Sequence, residues 1–148
     1  MKKITKNNKG FSLIELIIVI AIMAVLVAII APNLTKYLGS SKTKTDQKNA
    51  DELASQIQTC ITEYDTDQST SLGASIGSGT MRITWSGKTA SSASPADSTF
   101  DGILNSNITS DTKSKEDSSI ATYAEVTYDS STKVYSITAH VGNATATK

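Results

Sequence analysis

The sequence has few of the residues that usually stabilise a small secreted domain or provide it with a catalytic or metal-binding site. It has one cysteine, Cys60, and one histidine, His140, so no disulfide can form within the chain. Aromatic residues make up only 5% of the chain, which predicts a small core. We find no glycine-rich phosphate loop, no paired-cysteine motif and no arrangement of a nucleophile with a base. The sequence therefore predicts a protein that is not an enzyme, with no catalytic site, no metal site and no cofactor.

The two rare residues fit structural roles. Cys60 falls on the apolar side of a helical pattern, where it reads as a small core residue rather than a reactive thiol. His140 falls on the polar side of an alternating strand pattern, which favours a structural or solvent-exposed role over metal binding.

The charge of the chain is balanced in total but unevenly distributed. Fourteen basic and fourteen acidic residues give a formal net charge of zero. The segment before Gly10 contains four lysines and no acid, so the remainder of the chain is mildly acidic. Such a remainder gives no support for a nucleic-acid-binding surface, and we expect no nucleic-acid partner.

A continuous apolar run from Phe11 to Ala31 is the main feature of the sequence. Ser12 and Glu15 are its only polar side chains. About 20 residues at about 1.5 Å each match a hydrocarbon core of about 30 Å, so the run can cross a membrane as a helix. A charge inside such a helix costs about 2.5 kcal/mol or more, so Glu15 indicates a function and requires a partner. The alternative is a glutamate that reaches the membrane surface.

Two ordinary targeting segments could begin in the same way. A secretory signal peptide cut after Ala31 would place Ile29 at position −3 and Pro32 at position +1, and both are poor residues there. A plain signal anchor explains the basic flank but leaves Gly10 and Glu15 unexplained. The basic leader favours a cytoplasmic N-terminus, although lysines also follow the run and weaken this rule.

A more specific pattern covers about the first 40 residues. A short basic leader is followed by Gly10-Phe11-Ser12-Leu13-Ile14-Glu15, and the apolar run ends at Ala31-Pro32-Asn33-Leu34. This combination resembles the class III signal of type IV pilins and pseudopilins, with a short leader similar to that of the type IVa group. The resemblance implies that a prepilin peptidase cuts between Gly10 and Phe11 and N-methylates the new Phe11 amine. Gly10 would let the backbone lie extended in a narrow protease cleft.

Cleavage would also supply the partner that Glu15 requires. The Phe11 nitrogen becomes an amine, which remains a cation after one methylation. Glu15 lies four residues further on, so both groups share one face of a helix. Glu15 could pair with its own Phe11. The resemblance implies instead a pairing with Phe11 of a neighbouring subunit during assembly, and the sequence leaves both pairings open.

The resemblance and the patterns together predict an α+β pilin fold with three parts. These are a leader at 1–10, a transmembrane and assembly half-helix at 11–32, and a head at 33–148 exposed to the periplasm or the cell exterior. Pro32 should kink the helix, because it lacks an N–H and its ring crowds the carbonyl of Ala28. The helix then resumes as an amphipathic half, whose apolar stripe comprises Ala50, Leu53, Ala54, Ile57, Cys60, Ile61 and Tyr64.

For the rest of the head, the sequence predicts a small antiparallel sheet at about 81–141. This sheet should pack on the amphipathic half of the helix, which is predicted to end at about residue 64. Alternating patterns predict strands at 81–85, 123–128 and 134–141, in a sheet of three or four strands. The pattern at 99–108 fits a short helix or a packed loop, and 65–80 and 86–98 read as loops.

The resulting functional interpretation is a structural pilin of a type IV pilus that serves adhesion, twitching-type motility or biofilm formation. Its expected partners are further copies of itself, a prepilin peptidase that is also an N-methyltransferase, a membrane assembly platform and, before assembly, lipid. It would cross the cytoplasmic membrane once before it reaches the cell surface. The first alternative is a pseudopilin of a type II secretion or competence DNA-uptake machine. The second is a membrane-anchored binding domain that does not polymerise.

The mature N-terminus tests the processing prediction. Mass spectrometry of the cell-surface fraction should show a chain that begins at N-methylated Phe11, because the motif directs cleavage after Gly10. A chain that keeps its leader would contradict it.

Overall fold

The computed structural model describes residues 10–86, 88–108 and 113–148, so most of the predicted leader lies outside the described residues. Its helices are α1 (Leu13–Asp67), α2 (Leu72–Ile76) and α3 (Ser98–Asn107). Its strands are β1 (Thr80–Ser86), β2 (Thr89–Ala93), β3 (Tyr123–Asp129), β4 (Val134–Val141) and β5 (Ala144–Thr147). The chain divides into two compact units, one ending at Leu38 and the other beginning at Gly39.

Helix α1 contains both of the helical halves that the sequence predicts. It includes Pro32 and continues to Asp67, three residues beyond the predicted end at about 64. A proline within a helix removes one backbone hydrogen bond but does not by itself end the helix. The kink at Pro32 stays a prediction.

The five strands form one antiparallel sheet in the order β2-β1-β3-β4-β5. The strands predicted at 81–85, 123–128 and 134–141 are confirmed as β1, β3 and β4. The expectation of three or four strands is wrong, because the structure adds β2 and β5. Strand β2 lies inside the expected loop at 86–98, and β5 follows the expected end of the sheet.

Both unexpected strands are built from alanine, serine and threonine. In β2 the buried residues are Ala90 and Ser92, and in β5 they are Ala144 and Ala146. Side chains this small give an alternating pattern little hydrophobic contrast. Whether such a segment becomes a strand depends on the neighbours it pairs with, here β1 and β4.

The core lies where the apolar stripe of α1 meets one face of the sheet. All seven residues of the predicted stripe are buried, which confirms that prediction. From the sheet, the same buried cluster includes Met81, Ile83, Ala124, Val126, Ile137, Ala139 and Val141. The α+β architecture predicted from the sequence is therefore correct, with a larger sheet than expected.

Helix α3 confirms the helical alternative at 99–108 and closes one edge of the sheet. Asp97 caps the helix by accepting hydrogen bonds from the N–H groups of Thr99 and Phe100. Further along, Asn105 accepts from the N–H of Ala90 and donates to its carbonyl, at 2.7 and 3.0 Å. These bonds occupy the outer backbone groups of Ala90 in β2, where another strand could otherwise pair.

Helix α2 lies inside the segment 65–80, so the expectation of a loop is wrong for those five residues. Asp65 holds its first turn, because one carboxylate oxygen accepts from the N–H of Leu72 at 2.7 Å. The hydroxyl of Tyr135 donates to the other oxygen at 2.8 Å and accepts from the N–H of Gly73 at 2.7 Å. The positions of these partners, far apart in the chain, explain why the sequence pattern does not reveal the helix.

A buried carboxylate connects α1 to the segment that precedes β3. Asp46 has no exposed surface and accepts from the Ser114 hydroxyl at 2.5 Å and from the N–H groups of Lys115 and Glu116 at 2.7 and 3.0 Å. A side chain at Gly142 would place its Cβ 2.7 Å from that of Ser114, so glycine leaves room for the contact. In a chain with no disulfide, these bonds link distant segments.

The same contacts set the ionisation of Asp46. Burial raises the pKa of this carboxyl, but the bonds from Lys115, Ser114 and Glu116 outweigh it and hold the pKa below its usual value. Because the pKa is lower in the folded state, the stabilisation is fully present above the ordinary pKa of 3.8 and is lost as the pH falls below it.

We expect Asp46→Asn to lower the free energy of unfolding by about 2 kcal/mol at pH 7, because an amide replaces an acceptor-only group in front of several donors. The difference from the unsubstituted chain should shrink as the pH falls below about 4. Thermal unfolding of the full chain in detergent, followed by circular dichroism, measures both effects. Asp51→Asn, on the exposed face of α1, is the matched control. Equal stability of Asp46→Asn and the control at pH 7 would contradict the prediction.

Candidate functional site

The predicted processing site lies at the start of α1. Gly10, Phe11 and Ser12 precede the helix, and each is exposed. The side chain of Phe11 is 91% exposed, which is the highest value among the exposed large hydrophobic residues. The site is therefore open to another protein.

The structure gives no internal reason for glycine at position 10. A side chain there would meet no atom within 4 Å, and the backbone does not adopt the left-handed conformation that favours glycine. A requirement for glycine at this position would come from another molecule. This fits the predicted recognition of Gly10 by a peptidase, and cleavage stays a prediction.

Glu15 forms a local bond that the sequence interpretation does not include. Its Oε2 accepts a hydrogen bond from the backbone N–H of Ser12 at 2.9 Å. Ser12 is the residue immediately before α1, and its carbonyl accepts from the N–H groups of Glu15 and Leu16. Glu15 thus satisfies one of the unpaired donors at the helix start and places negative charge at the positive end of the helix dipole.

A sequence signal for this bond exists. Ser12-Leu13-Ile14-Glu15 has the spacing of a capping box, in which a glutamate three residues after a serine reaches back to the backbone N–H of that serine. Hydropathy alone does not reveal this capping box, because on a hydropathy scale Glu15 counts only as a charge within an apolar run. The structure therefore gives Glu15 a partner within the chain, and the pairing of Glu15 with a Phe11 amine stays a prediction.

The apolar residues that follow have no cover in the structure. Every large apolar side chain from Phe11 to Leu38 is at least 45% exposed. By length and composition α1 is able to cross a membrane. An exposed apolar surface of this extent marks a site of contact with lipid or protein.

The first hydroxyl side chain after Pro32 has a hydrogen-bond partner in the same helix. The hydroxyl of Thr35 donates to the carbonyl of Ala31 at 3.0 Å. Hydroxyls that bond back to their own helix in this way are compatible with an apolar environment, since they leave no donor unpaired.

Cys60 is a buried core residue, as the sequence predicts. Its exposed fraction is 0%. Burial, followed by the negative charge of Glu63, raises the pKa of the thiol to about 11. The thiolate that would act as a nucleophile or a metal ligand is therefore scarce at neutral pH.

His140 lies on the outer face of the sheet, where the alternating pattern places it. Its ring stacks on that of Tyr123, with centroids 4.4 Å apart, and the guanidinium of Arg82 lies 4.1 Å from the Tyr123 centroid on the neighbouring strand. The hydroxyl of Thr145 is 3.0 Å from Nδ1 of His140. Across residues 10–86, 88–108 and 113–148, no three His, Cys, Asp or Glu side chains are grouped so that they could hold a metal ion.

Comparison with known proteins gives matches that include the start of the chain. The family model of the prokaryotic N-terminal methylation motif matches residues 5–31. Prepilin peptidase-dependent protein A of Clostridium perfringens is 40% identical over 60 residues, which cover 39% of this chain and 43% of that protein. Type IV major fimbrial protein FimA of Dichelobacter nodosus is 37% identical over 54 residues, covering 36% of this chain and 35% of that protein.

A third relative matches a segment of similar length. The ComG operon protein 3 homolog of Bacillus licheniformis is 36% identical over 61 residues, covering 41% of this chain and 59% of that protein. The chain thus spans between about a third and three fifths of the length of these relatives. No solved structure matches the chain at a comparable level.

Proposed function

We propose that this chain, a pilin-like protein that carries the prokaryotic N-terminal methylation motif, is a structural subunit of a type IV pilus. In this proposal a prepilin peptidase cuts after Gly10 on the cytoplasmic side and N-methylates Phe11. The mature chains then leave the membrane at an assembly platform and polymerise through α1. The filament serves adhesion, twitching-type motility or biofilm formation at the cell surface, and the chain has no catalytic activity of its own.

One observation carries the proposal. The start of α1 exposes a set of large apolar side chains that overlaps the matched methylation motif, and the chain is similar to peptidase-dependent and fimbrial proteins. Water is a poor environment for such a surface, which needs lipid or other protein around it. A subunit that is first held in a membrane and then packed in a filament satisfies this need at both stages.

The exchange of lipid for neighbouring helices is physically reasonable. Lipid tails and aliphatic side chains are about equally apolar, so leaving the membrane for a helical bundle need not expose the apolar surface to water. Packing and polar contacts between helices then favour the assembled state. A head-to-tail contact whose rotation does not close gives an open helical filament.

Glu15 and Phe11 supply a polar contact for this exchange. Among the residues that the structure describes, Oε2 of Glu15 alone accepts a hydrogen bond from another group, the N–H of Ser12. The other oxygen is available to a methylated Phe11 amine, of the same chain or of a neighbour. Capping and pairing therefore do not exclude each other, because a carboxylate can accept several hydrogen bonds.

The second candidate is a pseudopilin of a type II secretion or competence DNA-uptake machine. The similarity to the ComG operon protein 3 homolog, which has the largest covered share among the relatives described, favours it. A pseudopilin would share Gly10, Phe11, Glu15 and Pro32, so it differs in the length of fibre rather than in the motif. The third candidate is an anchored binding domain that never polymerises. It does not explain why the chain carries the N-terminal methylation motif.

Electron microscopy of the material sheared from cells that express the chain separates these candidates. We expect long filaments whose subunit begins at N-methylated Phe11. A processed chain that stays in the membrane fraction and gives no long filaments would favour the pseudopilin. A chain that keeps its leader would refute the pilin and pseudopilin interpretations together.

Substitution of Glu15 tests its role in assembly, and two variants separate charge from capping. Both Glu15→Ala and Glu15→Gln should be cleaved normally, since Gly10 and Phe11 are unchanged. Both should lower the filament yield at least about tenfold, equivalent to about 1.4 kcal/mol, because neither can pair with a cation. Immunoblots of the processed chain and of the sheared fraction measure the two steps.

Glutamine is the informative variant, because its side-chain oxygen can still accept from the N–H of Ser12. Normal assembly of Glu15→Gln beside failed assembly of Glu15→Ala would show that the cap matters and the charge does not. That result would contradict the pairing with Phe11.

A further inference from the structure

The exposed charges on α1 are separated by sign along the second compact unit. Between Gly39 and Asp67 the exposed cations come first, and the exposed anions follow without an exception. The cations are Lys42, Lys44 and Lys48, and the anions are Asp51, Glu52, Glu63 and Asp67. The two remaining acids of this segment, Asp46 and Asp65, are occupied by the hydrogen bonds that hold Ser114 and α2.

These exposed charges are not neutralised by the residues that the structure describes. Within residues 10–86, 88–108 and 113–148, none of the seven side chains forms an ion pair. The anions also stand at an unfavourable end. The last turn of α1 has no basic residue, although the negative end of a helix dipole favours cations there. Among the described residues, the acidic end of α1 therefore has no cationic partner.

The charged residues at the basic end and at the acidic end of this segment have the same spacing. Lys44 and Lys48 are four residues apart, and so are Glu63 and Asp67. The same offset of 19 residues separates Lys44 from Glu63 and Lys48 from Asp67. A second helix that runs parallel and is displaced by 19 residues, or about 28 Å, aligns both lysines with both acids at once.

The surface between the two ends allows a neighbouring helix to approach. Its central residues are small, and their hydroxyls already donate to carbonyls four residues earlier in the same helix. These residues are Ser55, Thr59, Thr62 and Thr66. A neighbouring helix would therefore leave none of these four hydroxyls without an acceptor. Glu63 accepts from Asn107 with one oxygen only, so the other remains open to a lysine.

We propose that the partner of this face is a second copy of this chain. Lys44 and Lys48 of one copy contact Glu63 and Asp67 of the next, with the two helices parallel and displaced by about 28 Å. The contact is head-to-tail, so each copy offers its free lysines to a further copy and the array stays open. This inference rests on the proposed polymerisation, and it adds the contact that sets the axial position of one neighbour.

Cross-linking within the filament tests the register directly. The full chain with Lys48→Cys and Asp67→Cys is expressed in cells that assemble it, and sheared filaments are oxidised with copper phenanthroline. We expect a ladder of covalent multimers on a denaturing gel, because every copy is joined to the next. The single variants Lys48→Cys and Asp67→Cys are the controls and should give no ladder, since Cys60 is buried.

Charge reversal tests whether the attraction matters. Lys44→Glu with Lys48→Glu, and separately Glu63→Lys with Asp67→Lys, should each lower the filament yield about tenfold. The variant with all four changes should recover most of the yield, because the pairs re-form with their signs exchanged. Lys88→Glu with Lys148→Glu is the control for the lysine reversal. It changes the net charge by the same amount as that reversal but away from α1, and it should assemble normally. The amount of processed chain in membranes monitors folding.

The outcomes separate this inference from the function on which it rests. Abundant filaments without a ladder, or equal yields from the two reversed variants and the unsubstituted chain, would refute the contact and leave the pilus proposal intact. Failure of the four-change variant to exceed either reversed pair would also refute it. An unsubstituted chain that forms no filament would refute both.

Discussion

The exposed apolar surface at the start of α1 is the constraint on which the rest of the molecule depends. Transfer of one large aliphatic side chain from water to an apolar environment is worth about 1.5–3 kcal/mol, so the set from Phe11 to Leu38 represents on the order of tens of kcal/mol. A folded domain is stable by only about 5–15 kcal/mol. Covering this surface is therefore worth more than the stability of a typical domain. The cover must come from outside the chain, from lipid or from further copies.

The head achieves stability without the cross-links that many small exported domains use. Its core combines the apolar stripe of α1 with the inward-facing apolar side chains of the sheet. Distant segments are held by side-chain hydrogen bonds instead of disulfides, notably by Asp46 at Lys115 and Glu116, Asp65 at α2 and Asn105 at β2. Each bond places a polar atom against backbone groups that would otherwise lie unpaired. The cost is sensitivity to acid at Asp46, because its lowered pKa means that its stabilising contribution is lost as the pH falls below the ordinary value of 3.8.

The sequence predicts the parts of this fold that have strong periodic contrast, and it fails where the contrast is weak. The stripe on α1 repeats apolar residues at three- and four-residue spacing, and strands β1, β3 and β4 alternate apolar with polar residues, so burial follows from the spacing. Strand β2 contains only Thr, Ala and Ser, and its burial depends on α3 and β1, which the local pattern cannot show. The partners of Asp46 lie about 70 residues away. At the candidate site, the processing motif predicts Gly10, Phe11 and Glu15 as site residues. The hydrogen bond from Ser12 to Glu15 is predicted only when residues 12–15 are also interpreted as a capping box.

Apolar contacts alone cannot give a filament a defined register. They have no direction, and aliphatic helices can slide past one another with little change in buried area. A polymer with one subunit position therefore needs polar groups at fixed places along the helix. In this chain such groups stand at two levels, Glu15 near the start of α1 and the separated charges between Lys44 and Asp67. In the proposed filament, attraction at both levels would be satisfied together only at particular displacements. Repulsion between like ends opposes the alternatives, so the same charges that favour one register also exclude others.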